Sequence, residues 1–523
     1  MLPSRHLAPC ALSLLLGCAG DDPSTVADAA TDRGAADATA VIDSNTNTAA
    51  DVAQAPGLVR ALTITDVSLF QAVKVPLLAA GSVATGRSIP VIAGRSAVVR
   101  VYVRPEAGYQ ARGVEGELTV RRGDQGTILR DRRLISRASR DDDTSSVFHF
   151  EVPEEAMGPD TRLSVRLLAP GGAEVEPGTP DDARFPSDGA SLPVPAQDDG
   201  GGIDIVLVPM RWDADKSGRL PDTSPEQIER MRSALRAMYP VREVRITVHE
   251  PVAWSRGLLP SGSADFGAMI SSLRFLRTRD EVPSSHYYYG MVAPTEYFDE
   301  YCQGPCTLGQ GYLSAYPDDP RGRVAAGLGF DGDRAAETFV HEIGHNHGRA
   351  HAPCGAAAGP DPEFPYRGGT IGGWGFDERR RGLVRPNAFD FMGYCQPRWI
   401  SDYNYTALWE RIIAVNGSNA SIDLRGSSLA ARPRLRHRVL RFDHGAESEW
   451  LDALDLPPAA GGNATLRWLD AAGLLLRRSV AQADPLGDSD EVHVLVPPSP
   501  SGASSVEVVY EGRTRRVALP ASW

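Results

Sequence analysis

Short runs in which apolar and polar residues alternate occupy two stretches of this chain, and between them the apolar repeat lengthens to that of amphipathic helices. The first stretch lies within residues 57–200. It includes Ala97-Val98-Val99-Arg100-Val101-Tyr102-Val103 and Leu163-Ser164-Val165-Arg166-Leu167-Leu168, split by Gly- and Pro-rich turns, which predicts a β-sandwich domain. The second, within 416–523, has runs at Leu435–Phe442, Ala464–Leu469, Val492–Val496, Val506–Tyr510 and Arg515–Leu519, and predicts a smaller C-terminal β-sandwich. Residues 201–415 read differently. Ile203–Val208 is a buried strand by its apolar run. A helix follows with Ser224 as N-cap, Pro225 at its first position and Gln227 completing a capping box, its apolar stripe being Ile228, Met231, Leu235 and Met238. Then come a strand at Val244–Val248, a helix at Ala264–Arg279 carrying Phe266, Met269, Leu273 and Leu276, a strand at His286–Val292, an edge strand near Arg323–Phe330, and a helix from Asp333. Strands alternating with helices predict an α/β (α+β) unit with a mostly parallel, twisted sheet.

The first residues follow neither pattern. Arg5 and His6 precede an apolar run, Ala8–Leu16, too short to span a bilayer, so residues 1–17 read as a signal peptide. It ends Leu15-Leu16-Gly17-Cys18, which resembles the bacterial lipobox and makes Cys18 the expected lipidation site; Ala19 after it leans toward outer-membrane sorting. An ordinary secretory signal is the alternative. Residues 18–56 are rich in Asp, Ala, Thr and Ser and lack aromatic residues, a composition that cannot bury a core and reads as a tether. The expected location is the cell envelope, through a lipid anchor, or else the exterior.

The chemistry is concentrated in His341-Glu342-Ile343-Gly344-His345-Asn346-His347-Gly348-Arg349-Ala350-His351, an H-E-x-x-H-x-x-G-x-x-H string. Residues four apart share a helix face, so His341 and His345 can aim two imidazole nitrogens at one ion. Gly348 can turn the chain at the helix end and let His351 supply a third. Three protein ligands and an open position describe a catalytic rather than a structural zinc site. With only 11 histidines in 523 residues, a chance match has odds on the order of 10⁻⁵. Glu342, next to a ligand, is the expected general base for a water whose pKa zinc lowers. His347 lies off the ligand spacing. The motif assigns one catalytic Zn2+; nothing in it speaks to Ca2+ or to oligomeric state.

This string resembles the zinc signature of the metzincin metallopeptidases, whose second hallmark is a methionine turn beneath the metal. Asp390-Phe391-Met392-Gly393-Tyr394-Cys395 matches that turn, with Met392 as its methionine. In some metzincins a tyrosine two residues beyond ligates zinc or stabilises the transition state, and Tyr394 occupies the matching position. In that clan the region between third ligand and turn, here the Gly- and aromatic-rich Phe364–Phe376, walls a specificity pocket. With Trp399-Ile400-Ser401-Asp402-Tyr403, it is similar to large exported bacterial metzincins of the StcE type, loosely over residues 97–405. The resemblance implies a metzincin-like catalytic domain with an active-site helix between the two β-sandwiches.

Cys302, Cys306, Cys354 and Cys395 remain once the leader cysteines are set aside, an even number in an exported chain, and two disulfides are expected. Three pairings are possible. A Cys354–Cys395 bridge would tie together the segments framing the metal and leave Cys302 and Cys306 to close a small loop. The net charge of −13 without a basic tract excludes nucleic-acid binding as an expectation. The expected activity is zinc-dependent endopeptidase action on extracellular proteins or glycoproteins. The alternative is a surface binding lipoprotein whose metzincin domain is catalytically inactive.

Overall fold

The computed structural model describes residues 57–85, 88–169, 178–423, 435–442, 448–456 and 461–521. The expected signal peptide, its lipidation candidate Cys18 and the expected tether lie outside the described residues. Residues 54–523 form one compact unit.

Two antiparallel sheets face each other in the first β region. One runs in the order Gly382–Val384, Gly375–Asp377, Leu62–Ala79, Ala97–Pro105, Val147–Val152; the other in the order Gln125–Ile135, Arg112–Arg122, Arg162–Leu168, Arg184–Phe185. Val67, Leu69, Val99, Val101 and Phe148 on the first pack against Val114, Leu118, Val165 and Leu167 on the second, because alternate side chains of each strand point inward. The 18-residue strand Leu62–Ala79 outlasts this core. At Ala72 and Val73 it pairs with Phe376 and Gly375, which lie between the zinc motif and the methionine turn in sequence. Trp399 closes the junction: its indole N–H donates to the carbonyl of Ala72 at 2.9 Å, and a Cβ on Gly375 would stand 2.5 Å from its ring.

The motif-bearing region holds a third sheet in the order Val244–Val248, Ile203–Trp212, Tyr287–Val292, Val324–Leu328, Gly309–Gly311, parallel except for the last pair. Val324–Leu328 is therefore not the edge strand the sequence predicts. The glycine-rich Gly309–Gly311 lies outside it and is too short and apolar-poor to show a strand period. Helices Pro225–Met238 and Asp333–Asn346 cover one face, burying Met231, Leu235, Phe339, Val340 and Ile343 against Leu207, Tyr287 and Tyr289. Helix Phe266–Arg279 covers the other with Met269, Ile270 and Leu273. Only half of the predicted capping box forms. The Ser224 hydroxyl accepts from the Gln227 amide, but the Gln227 side chain turns away and bonds both backbone groups of Gly332, the N-cap of helix Asp333–Asn346. One helix thus caps the start of the other.

The C-terminal region joins two antiparallel ladders through Leu475–Pro485, which pairs with Ala464–Leu469 along its first part and with Val492–Val496 along its last. Its strands make one antiparallel series, Glu449–Leu456, Leu435–Phe442, Val492–Val496, Leu475–Pro485, Ala464–Leu469, Ser505–Tyr510, Arg513–Ala518, curled over Leu440, Leu466, Trp468, Val494 and Val508. Its outer face, with Val439, Leu451, Leu454 and Leu495, packs on helix Phe266–Arg279.

The α/β fold class expected for this chain is corrected by these elements. The protein is mostly β, 18% helical and 39% strand, built of antiparallel sheets and half-barrels rather than around a mostly parallel twisted sheet. Parallel strands dominate only one of the larger sheets among the described residues. The physical reason is that long-range pairing adds strands the helix-and-strand alternation does not register: segments of three residues, Gly309–Gly311, Gly375–Asp377 and Gly382–Val384, become strands because a partner edge is already there.

Trp399 tests the junction between the two regions. Trp399→Ala removes a side chain that is 2% exposed and should cost about 3–5 kcal/mol, read as a lowered urea midpoint at unchanged slope.

Candidate metal centre

The helix Asp333–Asn346 ends within the motif, and its last two turns bury His341 and His345 on one face. Gly348 follows at φ +80°, its amide bonded to the carbonyl of His345. A side chain there would be strained, and its Cβ would stand 2.8 Å from the carbonyl of Ser314. The turn carries His351 back beside the other two histidines.

Each imidazole is oriented by a main-chain carbonyl. Nδ1 of His341 lies 2.9 Å from the Phe391 oxygen, Nδ1 of His345 is 2.7 Å from that of Arg349, and Nδ1 of His351 is 2.5 Å from that of Ala358. With Nδ1–H donated outward, each ring presents the lone pair of Nε2 inward, the tautomer a metal needs. The three Nε2 atoms and a carboxylate oxygen of Asp488 all lie within 4.8 Å of one another, and the group could hold a metal ion. Asp488 oxygens stand 3.6, 3.2 and 3.1 Å from Nε2 of His341, His345 and His351. Ligand bonds of about 2.0–2.1 Å at tetrahedral angles place ligand atoms about 3.3 Å apart, so these spacings fit zinc. Nε2 of His341 and of His345 and Oδ2 of Asp488 are buried without a hydrogen-bond partner. Buried polar atoms are rarely left so, and an ion at their centre would satisfy all three.

Burial lowers the pKa of His345 to about 4, an effect that Asp488 opposes. Burial would raise Asp488, but the charge and hydrogen bonds of His341 and His345 in their protonated forms outweigh it and hold the carboxyl low. Glu342 is buried beside the group, its Oε1 close to Gly309, and both burial and the Asp488 charge push its carboxyl well up. The Tyr394 hydroxyl lies 3.2 Å from Nε2 of His351 and donates to Asp488. Burial and Asp488 raise its pKa.

Met392 is fully buried under the helix, where a Cβ on Gly344 would stand 2.4 Å from its sulfur. Gly344 is therefore, like Gly348, a motif position between the ligands that must stay small. The turn is held by Asp390, which accepts from the amides of Met392 and Ser401 at 2.9 Å each, from the Ser401 hydroxyl at 2.5 Å and from Asn404 at 2.7 Å. Cys354 and Cys395 are bridged, joining the segment after His351 to the end of the turn, and Cys302 and Cys306 close their own loop. His347 turns away from the group and stacks on Tyr287 at 4.7 Å, its Nδ1 bonded to the Ile343 carbonyl; burial lowers its pKa to about 3. In the Gly- and aromatic-rich segment, Phe364 packs edge-on against Tyr366 and Tyr403, and the Tyr366 hydroxyl donates to Asp402.

Sequence reasoning missed Asp488, Asp390 and Gly344. Asp390 and Gly344 carried a weak signal in their motif neighbourhood. Asp488, 137 residues beyond His351, carried none: it lies in the turn before Val492–Val496, and the strand that precedes it, Leu475–Pro485, shows no run among those expected from the sequence.

The profile of the family Peptidase M66 matches residues 317–397, which span the zinc motif and the methionine turn. No curated protein matches the chain. Among solved structures, one entitled "putative beta-galactosidase from bacteroides fragilis" aligns at 9% identity over 88% of this chain and 72% of its own, with a TM-score of 0.14, too low to carry an argument. The family match supports a peptidase, and Peptidase M66 is a metallopeptidase family.

Asp390→Ala tests how the turn supports the ligands. It leaves buried amides of Met392 and Ser401 unpaired, at about 1–3 kcal/mol each. The expected outcome is a loss of stability of about 3 kcal/mol or more in urea melts. A roughly 10- to 100-fold weaker zinc affinity by competition titration should accompany it, because the Phe391 carbonyl that orients His341 moves with the turn.

Proposed function

We propose that this protein is a zinc-dependent endopeptidase of the metzincin type, exported and held to the envelope by a lipid on Cys18, acting on extracellular proteins or glycoproteins. The observation that carries this reading is the convergence of three Nε2 atoms on one point with Glu342 buried beside them. His341, His345 and His351 would hold the ion. When bound, zinc supplies Lewis acidity and brings the pKa of a water toward about 7. Glu342 takes the proton of the attacking water and returns it to the leaving amine. Tyr394, whose hydroxyl reaches the ligand cluster, donates a hydrogen bond to the developing oxyanion. Met392 and the Cys354–Cys395 bridge keep the floor and wall of the site in register. Support for export comes from the leader pattern and from two disulfides, which persist in oxidising compartments.

A second reading, a surface binding lipoprotein with an inactive catalytic domain, is favoured by one observation: Asp488 takes the place of a fourth ligand. Metal analysis with casein and glycoprotein digests, with and without a chelator, separates the two. One equivalent of zinc is expected, with chelator-sensitive cleavage that is clearest in the protein freed of Asp488. A zinc-loaded protein, freed of Asp488, that cleaves nothing in a broad peptide library would decide for the second.

Glu342→Gln should retain zinc by metal analysis while peptide cleavage falls by about 10²- to 10⁴-fold. Normal hydrolysis by this variant would sink the assignment of Glu342 as base.

A further inference from the structure

The tip of the hairpin formed by Leu475–Pro485 and Val492–Val496 of the C-terminal sheet reaches into the metal centre. Its turn closes with the amide of Leu486 on the carbonyl of Glu491. Two features of this tip bear on access to the site.

The first is the ligand position. Asp488 at the turn places its carboxylate against all three histidines and is only 9% exposed. Three histidines with a carboxylate make a closed tetrahedral set, which leaves no position for a reacting water. Gly487 passes directly over His345: a Cβ there would stand 2.4 Å from Nε2. The backbone of the turn itself covers the face of that ligand.

The second is the strand edge. Gly309–Gly311 is bonded to Val324–Leu328 on one side, and its residues flank Glu342. Its free edge is where an extended peptide would add as a further strand beside the general base. Residues 485–487 already lie there: Leu313 donates to the Pro485 carbonyl at 3.1 Å, Gly487 donates to the Gly311 carbonyl at 2.8 Å, and Tyr312 and Leu486 form an antiparallel bridge.

Buried charges hold the tip in place. Arg441 on the C-terminal sheet pairs with Glu491 at 2.9 Å and with Asp265, the N-cap of helix Phe266–Arg279, at 2.6 Å. Arg274 of that helix pairs with Asp484 at 2.9 Å, and its guanidinium lies 3.8 Å over the Tyr312 ring. The Tyr312 hydroxyl is 2.6 Å from Nδ1 of His493, whose Nε2 is 2.7 Å from Glu491. Such pairs specify one arrangement, since any shift would strand a charge in an apolar interface.

We propose that the Leu486–Glu491 turn is a built-in plug of the active site, in which Asp488 is the fourth metal ligand and residues 485–487 occupy the edge where the substrate backbone binds, so that the chain with its plug seated is latent. This rests on the peptidase reading above.

The test uses the full zinc-loaded chain with Asp488→Ala and Asp488→Asn, and with Asp490→Ala as a control at an exposed position of the same turn. Zinc should pass to a chromogenic chelator at least about 10-fold faster from both Asp488 variants. The visible absorption bands of the cobalt-substituted protein should shift as the carboxylate is lost. Cleavage of a peptide library should rise by about 10-fold or more, because the competent state is no longer masked. Asp490→Ala should match the unaltered protein in all three. Unchanged zinc release and an unchanged cobalt spectrum in the Asp488 variants would overturn the proposal whatever the activity. A shifted spectrum with cleavage no higher than that of an already active unaltered protein would also overturn it. A shifted spectrum with no cleavage by any variant would instead overturn the peptidase reading and leave Asp488 as a ligand.

Discussion

Three imidazoles can share one ion only if each turns an unprotonated Nε2 to the same point, and the structure meets this by tying every Nδ1 to a main-chain carbonyl from a different segment. Much of the architecture follows from where those carbonyls must be. Arg349 belongs to the turn made by Gly348, so the oxygen that orients His345 depends on a left-handed residue. Ala358 lies in the loop that the Cys354–Cys395 bridge anchors at one end. Phe391 immediately precedes Met392, so the methionine turn acts on the centre through a hydrogen bond to His341 as much as through sulfur packing. Asp390 carries that function by fixing the turn with four accepted bonds, and the buried methionine fills the space that Gly344 leaves.

The flanking β regions are part of this support. Leu62–Ala79 runs out of its own core and ends as a neighbour of Gly375–Asp377, with Trp399 sealing the join. The C-terminal sheet lends its outer face to helix Phe266–Arg279 and places Arg441, Glu491 and His493 inside the interface. Burying charges there is costly unless each finds its partner, which favours one docking of the sheet over the alternatives. That docking brings Asp488 to the histidines. The latent arrangement we propose and the binding-protein alternative both grow from this contact, and they differ in whether the centre cleaves peptides once Asp488 no longer faces it.

Local periodicity was legible wherever one element supplied its own pattern. Helix Pro225–Met238 and strand Val244–Val248 fall where their apolar repeats and the Ser224 cap place them. Gln227 did not follow its local rule, because a backbone 105 residues away offered its amide two bonds at once. The fold class was misread for a related reason. Short glycine-rich segments become strands only when an edge is waiting.

The sequence by itself determined the donor set of three histidines and the acid beside them, because helical spacing and one glycine fix these positions within eleven residues. It also marked the methionine turn by its motif and, by the count of cysteines, that two bridges form, leaving the pairing to the structure. Only the tertiary structure decided that a fourth donor faces them. Asp488 comes from a hairpin 137 residues away, set there by sheet curvature and a buried ionic interface, and no local repeat encodes how far apart in space two such segments will lie.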